Sequence, residues 1–203
     1  MKHKKQINIE SNSLERKIVI SLERISNAFR VLLWEKAKLH NISPIQIQIM
    51  LFLGSHSGDK RNISYLAKEF NLTKATLSDA IKSLVLKGYA NFKQNSIDKR
   101  TKEIVITPKG KKIISQIQDY SLPLIDITKK MDNQEKIVLY NSLLRIIEQL
   151  VLSDHLLVQR MCLSCKFYQI INNKMYCNLL EKELHPDELR IDCPDYKQKT
   201  EDS

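Results

Sequence analysis

All four cysteines of this 203-residue chain lie in its last fifth, at Cys162, Cys165, Cys177 and Cys193. Their spacing is C-x2-C-x11-C-x15-C. The first pair places two sulfur atoms on one tight turn, and the two later cysteines can complete a four-sulfur ligand set. Because a segment of about forty residues has too small a core to fold by itself, such a centre would also stabilise the segment. The sequence predicts one metal centre per chain.

Three chemistries fit this spacing: a zinc ion, a cubane iron–sulfur cluster, and a pair of thiols that oxidises to a disulfide under stress. Two C-x2-C pairs would indicate zinc, but the second pair is split here. Pro194 follows Cys193, as a proline follows the last cysteine of many ferredoxin-like runs. We expect zinc slightly ahead of an iron–sulfur cluster, with His185 as a candidate replacement ligand, and a structural or a sensory role equally.

The rest of the composition argues against an enzyme. The chain has four glycines and contains neither G-x-G-x-x-G nor G-x-x-x-x-G-K-[ST], so it has no predicted phosphate-binding loop. Its five histidines follow no catalytic motif, and cysteines grouped as C-x2-C are a poor fit for a Cys/His nucleophile. We therefore expect no enzymatic activity.

The predicted location is the cytoplasm. The chain begins with the basic sequence MKHKK, but no uninterrupted apolar stretch follows it, and no segment approaches the length of a membrane span. We therefore expect no membrane association and a compartment in which thiols stay reduced.

Charge divides the chain into two parts. The whole chain has a formal net charge of +10. Between Ser43 and Lys112 there are thirteen Lys and Arg against five Asp and Glu, whereas residues 161–203 carry six basic and eight acidic residues. The basic part is typical of a surface that binds a polyanion, and the acidic segment is a different module.

Helical periodicity dominates the first part of the chain. Apolar residues recur at three- and four-residue steps from Leu14 to Leu32, which predicts one long amphipathic helix from residue 12 or 13 to about residue 39. Ser43, Pro44 and Gln46 predict a capping box that starts a second helix ending near residue 53. A third helix is predicted in ISYLAKEF at residues 63–70.

The next segment has the order of a winged helix-turn-helix. Thr73 is a predicted N-cap for a fourth helix, which Gly88 ends. The period then changes to two in YANFKQ and KEIVIT, which predicts an antiparallel hairpin with a charged tip. The fourth helix presents short polar side chains with lysines at its margins, as a helix that enters a DNA groove requires.

Two further helical segments complete the prediction. Thr107 and Pro108 begin the first of them, which the sequence SLP at 121–123 bends or breaks. Asp132 caps a final long helix with apolar positions from Ile137 to Leu157.

From Leu14 to Leu157 the chain resembles the MarR-type transcriptional regulators. ISYLAKEFNLTKATLSDAIKSLVLKGYA is similar to their helix-turn-helix, and SIDKRTKEIVITPKGKKI is similar to their wing. The resemblance implies a homodimer joined through the first and last helices and double-stranded operator DNA as the partner. It also implies that Arg100 enters the minor groove, that Asp98 shapes the wing, and that a small-molecule effector could bind between the helical stem and the winged domain.

Together these features predict a mainly α (α+β) fold: a winged helix-turn-helix with long flanking dimerisation helices and a small metal-stapled C-terminal extension. The predicted divisions are a flexible N-terminus (1–12), the winged domain with its dimerisation helices (13–160), the cysteine-rich extension (161–197) and a flexible tail (198–203). The predicted function is sequence-specific DNA binding in transcription regulation. The alternative is a winged-helix scaffold that docks an acidic protein. The predicted DNA-contacting residues are Thr73, Lys74, Ala75, Thr76, Ser78, Asp79, Lys82, Lys99, Arg100 and Lys102.

Overall fold

Helix α1 spans Leu14–His40 and stands apart from the core along most of its length. Ser13 caps it with its hydroxyl, and Asn41 ends it in the left-handed conformation, with φ of 51°. Leu33 and Ala37, near its C-terminal end, are its buried residues. The computed structural model describes residues 13–56, 58–94, 102–157 and 159–199.

Helix α2, Pro44–Ser55, forms the centre of the winged domain. The predicted capping box is present: the Gln46 N–H donates to the Ser43 hydroxyl at 3.3 Å, and the Ser43 N–H donates to the Gln46 side chain at 3.0 Å. Gln46 is buried, and its amide also donates to the Ala80 carbonyl at 3.3 Å. The fully buried side chains of α2 are Ile47, Ile49, Met50 and Leu53.

Helices α3, Ile63–Glu69, and α4, Lys74–Leu86, form the helix-turn-helix. The short turn between them contains Asn71 in the left-handed conformation (φ 50°). Gly88 follows α4 with φ of 72°, a conformation that glycine adopts without strain, so the helix ends as predicted.

A two-stranded wing follows. Strand β1, Ala90–Gln94, pairs antiparallel with β2, Lys102–Ile106, in a register that sets Gln94 opposite Lys102. The Ile104 N–H donates to the Arg61 carbonyl at 2.7 Å, so β2 is also tied to the loop before α3.

Three helices lead away from the wing: α5, Pro108–Ile117; α6, Leu122–Lys129; and α7, Asn133–Leu152. The break between α5 and α6 lies where SLP predicted it. Helix α7 ends earlier than the apolar pattern predicted, and Leu157 lies outside it. The reason is a C-terminal turn in which Asp154 has φ of 58° and its N–H donates to the Val151 carbonyl.

The C-terminal segment forms a small antiparallel sheet of three strands: β3, Tyr168–Ile171; β4, Lys174–Cys177; and β5, Lys182–Leu184. Asn172 and Asn173 make the turn between β3 and β4 with φ of 50° and 62°. Two consecutive residues at positive φ are the signature of the turn that fits a twisted hairpin.

A second hydrophobic core joins this sheet to α7. It consists of Leu144 from α7 with Met161, Leu184 and Leu189 from the C-terminal segment. The Tyr140 hydroxyl donates to the Leu189 carbonyl at 2.6 Å. The C-terminal segment is therefore packed on the last long helix.

Among the described residues, no helix is both long enough and apolar enough to cross a membrane.

Candidate functional site

The N-terminal end of α4 presents a polar, basic face. Leu77, Ile81 and Leu84 form its buried stripe, because they recur at the spacing of one helix face. The Thr73 hydroxyl accepts the Thr76 N–H at 3.1 Å and so starts the helix at the predicted residue. On the outer side Ser78 is half-buried, and the exposed predicted residues are Thr73, Lys74, Ala75, Thr76, Asp79 and Lys82.

Asp79 is paired on this face. Its carboxylate lies 3.2 Å from the Lys82 ammonium, one helical turn away, and both side chains are more than half exposed. An exposed pair of this kind contributes little stability. It does neutralise the one acidic group among the predicted DNA-contacting residues.

The described part of the wing places Lys102 on the exposed surface, at the start of β2. Its ammonium lies 6.0 Å from the centre of the Phe92 ring on the neighbouring strand. Asp98, Lys99 and Arg100, which the sequence assigns to the wing tip, lie outside the described residues.

The base of the wing is closely packed at Gly110. From the sequence, this glycine was predicted only as part of the wing motif, without a packing reason for it. The Thr107 hydroxyl donates to the Gly88 carbonyl at 2.7 Å and accepts the Gly110 N–H at 3.0 Å. A Cβ atom at Gly110 would lie 2.1 Å from the Tyr89 carbonyl oxygen. The start of α5 therefore contacts the backbone of Tyr89, the residue before β1, at a distance that only glycine allows.

The four cysteines line one cavity of about 160 Å³ in the C-terminal segment. Cys162 and Cys165 belong to a short 3-10 turn, Cys177 ends β4, and Cys193 follows the third strand at a distance of nine residues. All four are free thiols. The apolar residues around the same cavity are Phe167, Tyr168, Leu179, Leu180 and Leu184.

Arg190 contacts two of these sulfur atoms. Its backbone N–H donates to Cys162 Sγ at 3.1 Å, and its guanidinium lies 3.8 Å from Cys193 Sγ. Burial raises the pKa of the Cys162 thiol, and the nearby thiols of Cys193, Cys165 and Cys177 add to this effect.

Within the described part of the chain, no three His, Cys, Asp or Glu side chains are grouped so that they could hold one metal ion. His185, the candidate replacement ligand, is exposed and pairs with Asp187 at 2.5 Å, and it does not line the cysteine cavity.

Arg160 joins the C-terminal segment to the helix-turn-helix, and no sequence motif predicted this role. Its guanidinium makes two hydrogen bonds to Glu69 at the end of α3, at 2.7 and 3.1 Å, and one to Asp192 at 2.7 Å. It also lies 5.3 Å from the centre of the Phe52 ring in α2. The Cys193 N–H donates to the Arg160 carbonyl at 2.8 Å, so the last cysteine and this junction share one backbone contact.

The ionisation of this junction follows from its contacts. Burial acts to lower the pKa of Arg160, but the hydrogen bonds to Glu69 and Asp192 outweigh it and raise the pKa above its ordinary value. Burial acts in the opposite direction on Asp192, whose pKa is nevertheless lowered because Arg160 stabilises the carboxylate. The junction is therefore charged at neutral pH.

Known proteins resemble this chain in sequence and in fold. Residues 40–100 match the model of the MarR family. A MarR transcriptional regulator from Methanosarcina mazei Go1 is 22% identical over 65% of this chain and 94% of its own, with a TM-score of 0.55. A MarR protein from Peptoclostridium difficile is 23% identical over 68% of this chain and 90% of its own, with a TM-score of 0.58. S. aureus MepR in its DNA complex is 19% identical over 64% of this chain and 96% of its own, with a TM-score of 0.56.

A search of curated protein sequences gave no match. The solved structures show that the fold is that of the MarR-type winged helix-turn-helix, and together with the matched segment they confirm the resemblance predicted from the sequence. The similar structure from Methanosarcina mazei Go1 is that of a transcriptional regulator, which agrees with the expectation of no enzymatic activity.

Proposed function

We propose that this protein is a DNA-binding transcriptional regulator that acts as a homodimer in the cytoplasm. The observation that carries the proposal is the exposed face of α4, with its short polar side chains and its lysines, beside a wing that presents Lys102 on the same MarR-type fold. S. aureus MepR, which shares the fold, has been solved bound to DNA. A recognition helix of this composition can contact both base edges and phosphates.

The position of each polar group supports sequence recognition as well as general attraction. Thr73 and Thr76 lie at the N-terminal end of α4, the end that recognition helices direct at base edges. Lys74 lies at its margin, where an ammonium reaches phosphates. The pairing of Asp79 with Lys82 removes the electrostatic objection to a carboxylate on this face.

Helix α1 supports the homodimer. Its first two turns and its middle carry large apolar side chains that the single chain leaves exposed, with Leu14 69% and Val19 64% accessible. Monomeric proteins seldom expose so many large apolar side chains on one helix. The exposed apolar residues of α1 are Leu14, Ile18, Val19, Ile20, Ile25, Phe29, Val31, Trp34 and Leu39.

The test is a fluorescence-anisotropy titration of the full chain with duplexes from the DNA upstream of its own gene. We expect one duplex to bind at least about a thousandfold more tightly than random DNA, with an affinity that falls steeply as salt rises. Lys74→Ala should weaken binding to all duplexes and reduce the salt slope by about one. Lys174→Ala, an exposed lysine of β4, is the matched control and should leave both unchanged.

Binding without site preference and with little salt dependence would contradict the proposal. Capture of an acidic protein by the α4 face under the same conditions would instead support the scaffold alternative.

A further inference from the structure

We propose that the cysteine cavity binds a four-iron, four-sulfide cluster through the thiolates of Cys162, Cys165, Cys177 and Cys193. Each thiol loses its proton and ligates one iron. The proposal rests on the shape of the cavity and on the chemistry of the groups around it, and it does not depend on whether the protein binds DNA.

The size of the cavity distinguishes a cluster from a single ion. A tetrahedral zinc site holds its four sulfurs roughly 3.8 Å apart, as follows from a Zn–S distance of about 2.3 Å, and it leaves no space between them. Here the four thiols line a cavity of about 160 Å³ together with apolar and charged side chains. A cavity of about 150 Å³ accommodates benzene. A cavity of this volume therefore has room for an eight-atom cluster core.

The backbone holds all four cysteines in place. The Cys162 N–H donates to the Arg190 carbonyl at 2.9 Å, and the Cys165 N–H donates to the Cys162 carbonyl at the same distance. Cys177 is paired with Tyr168 in β3 and with Lys182 in β5. The Cys193 N–H is bonded to Arg160. A ligand set that is fixed before the cluster binds loses little conformational entropy on binding.

The surroundings suit an anionic cluster that is screened from water. The aromatic and leucine side chains of the cavity limit solvent access, which is one of the factors that set a cluster's potential. Arg190 supplies an N–H donor to Cys162 and a positive charge beside Cys193. Lys182, which also lines the cavity, is paired with Glu188 at 2.6 Å and so adds little net charge.

The test uses the full chain, purified anaerobically and, in parallel, reconstituted anaerobically with ferrous iron, ferric iron and sulfide. We expect a brown protein with about four iron and four sulfide per chain. X-ray absorption at the iron edge should show iron–iron as well as iron–sulfur scattering. One zinc per chain in a colourless protein would overturn the proposal, and so would four free thiols without metal in both preparations.

Variants identify the ligands. Cys177→Ala and Cys193→Ala should each lose most of the iron, while far-UV circular dichroism shows that the helices remain. His185→Ala is the matched control, because its side chain lies outside the cavity, and it should keep the full iron content. Iron loss in His185→Ala, or full retention in either cysteine variant, would contradict the assignment. Should the cysteine variants fail to fold, the metal content and the X-ray absorption of the unaltered chain still decide the matter.

Discussion

Asp79 is the residue whose charge is least expected on a surface that contacts phosphates. Its carboxylate lies 3.2 Å from Lys82, so the pair presents no net charge to an approaching polyanion. Without this contact the carboxylate would repel phosphate. An aspartate in a recognition helix can also accept a hydrogen bond from the cytosine amine. The charge that Asp79 presents to DNA therefore depends on its neighbour Lys82.

Arg100 provides the residue-scale prediction. Arg100→Ala should weaken operator binding by about 1–3 kcal/mol, because the negative potential of the narrow minor groove attracts an arginine side chain. Lys60→Ala, in the 3-10 turn before α3, should weaken it less. Anisotropy titrations on the same operator compare the two, with circular dichroism to verify the fold. Small and equal losses would mean that the wing does not enter the groove.

At the scale of elements, Arg160 connects three parts of the chain that are separate in sequence. Its guanidinium is bonded to Glu69 in α3 and to Asp192 beside the last cysteine, and it packs on Phe52 in α2. Only 11% of its side chain is accessible, and therefore these contacts are little screened by water. A change in the cysteine segment can therefore reach the first helix of the helix-turn-helix through one side chain.

Arg160→Met should loosen both sides of this junction. The substitution keeps much of the apolar stem but removes the guanidinium from Glu69 and Asp192, and Asp192 keeps only its contact with His56 at 3.1 Å; the expected loss is about 1–3 kcal/mol. Amide hydrogen exchange should become faster in α3 and in residues 190–196. Arg24→Met, on the exposed surface of α1, is the control and should change neither region. Unchanged exchange in α3 would show that the junction does not couple the two parts.

At the scale of the whole molecule, most of α1 lies outside the buried cores of the single chain. The two cores lie around α2 and around the C-terminal half of α7, while most apolar residues of α1 remain exposed. The proposed dimer would cover these residues of α1 and would also set the distance between two α4 helices. Paired recognition helices must match half-sites about one DNA turn apart.

Ile25→Glu should therefore convert the dimer to a monomer. A charge in the middle of an apolar interface is costly to bury, and Ile25 is 47% exposed in the single chain. Sedimentation velocity measures the oligomeric state, and operator affinity should fall with it. Glu23→Lys alters charge two residues away on another face of α1 and should leave the dimer intact. A dimeric Ile25→Glu protein would place the interface elsewhere.

The sequence by itself determined the features whose causes lie within a few residues. The caps at Ser43, Thr73 and Asp132 and the helix end at Gly88 were predicted because each depends on a side chain or a backbone preference within about four positions. The wing strands followed from the change of period for the same reason. The end of α7 was not predicted, because apolar residues continued beyond the turn at Asp154.

Only the tertiary structure decided how distant residues meet. The spacing of the cysteines left zinc, a cluster and a disulfide open, since it gives no distance between Cys177 and Cys193, which β5 separates. In the folded segment all four thiols line one cavity. Arg160 meets Glu69 across 91 residues and Asp192 across 32. Such contacts depend on how helices and strands pack, and local propensity contains no information about that packing.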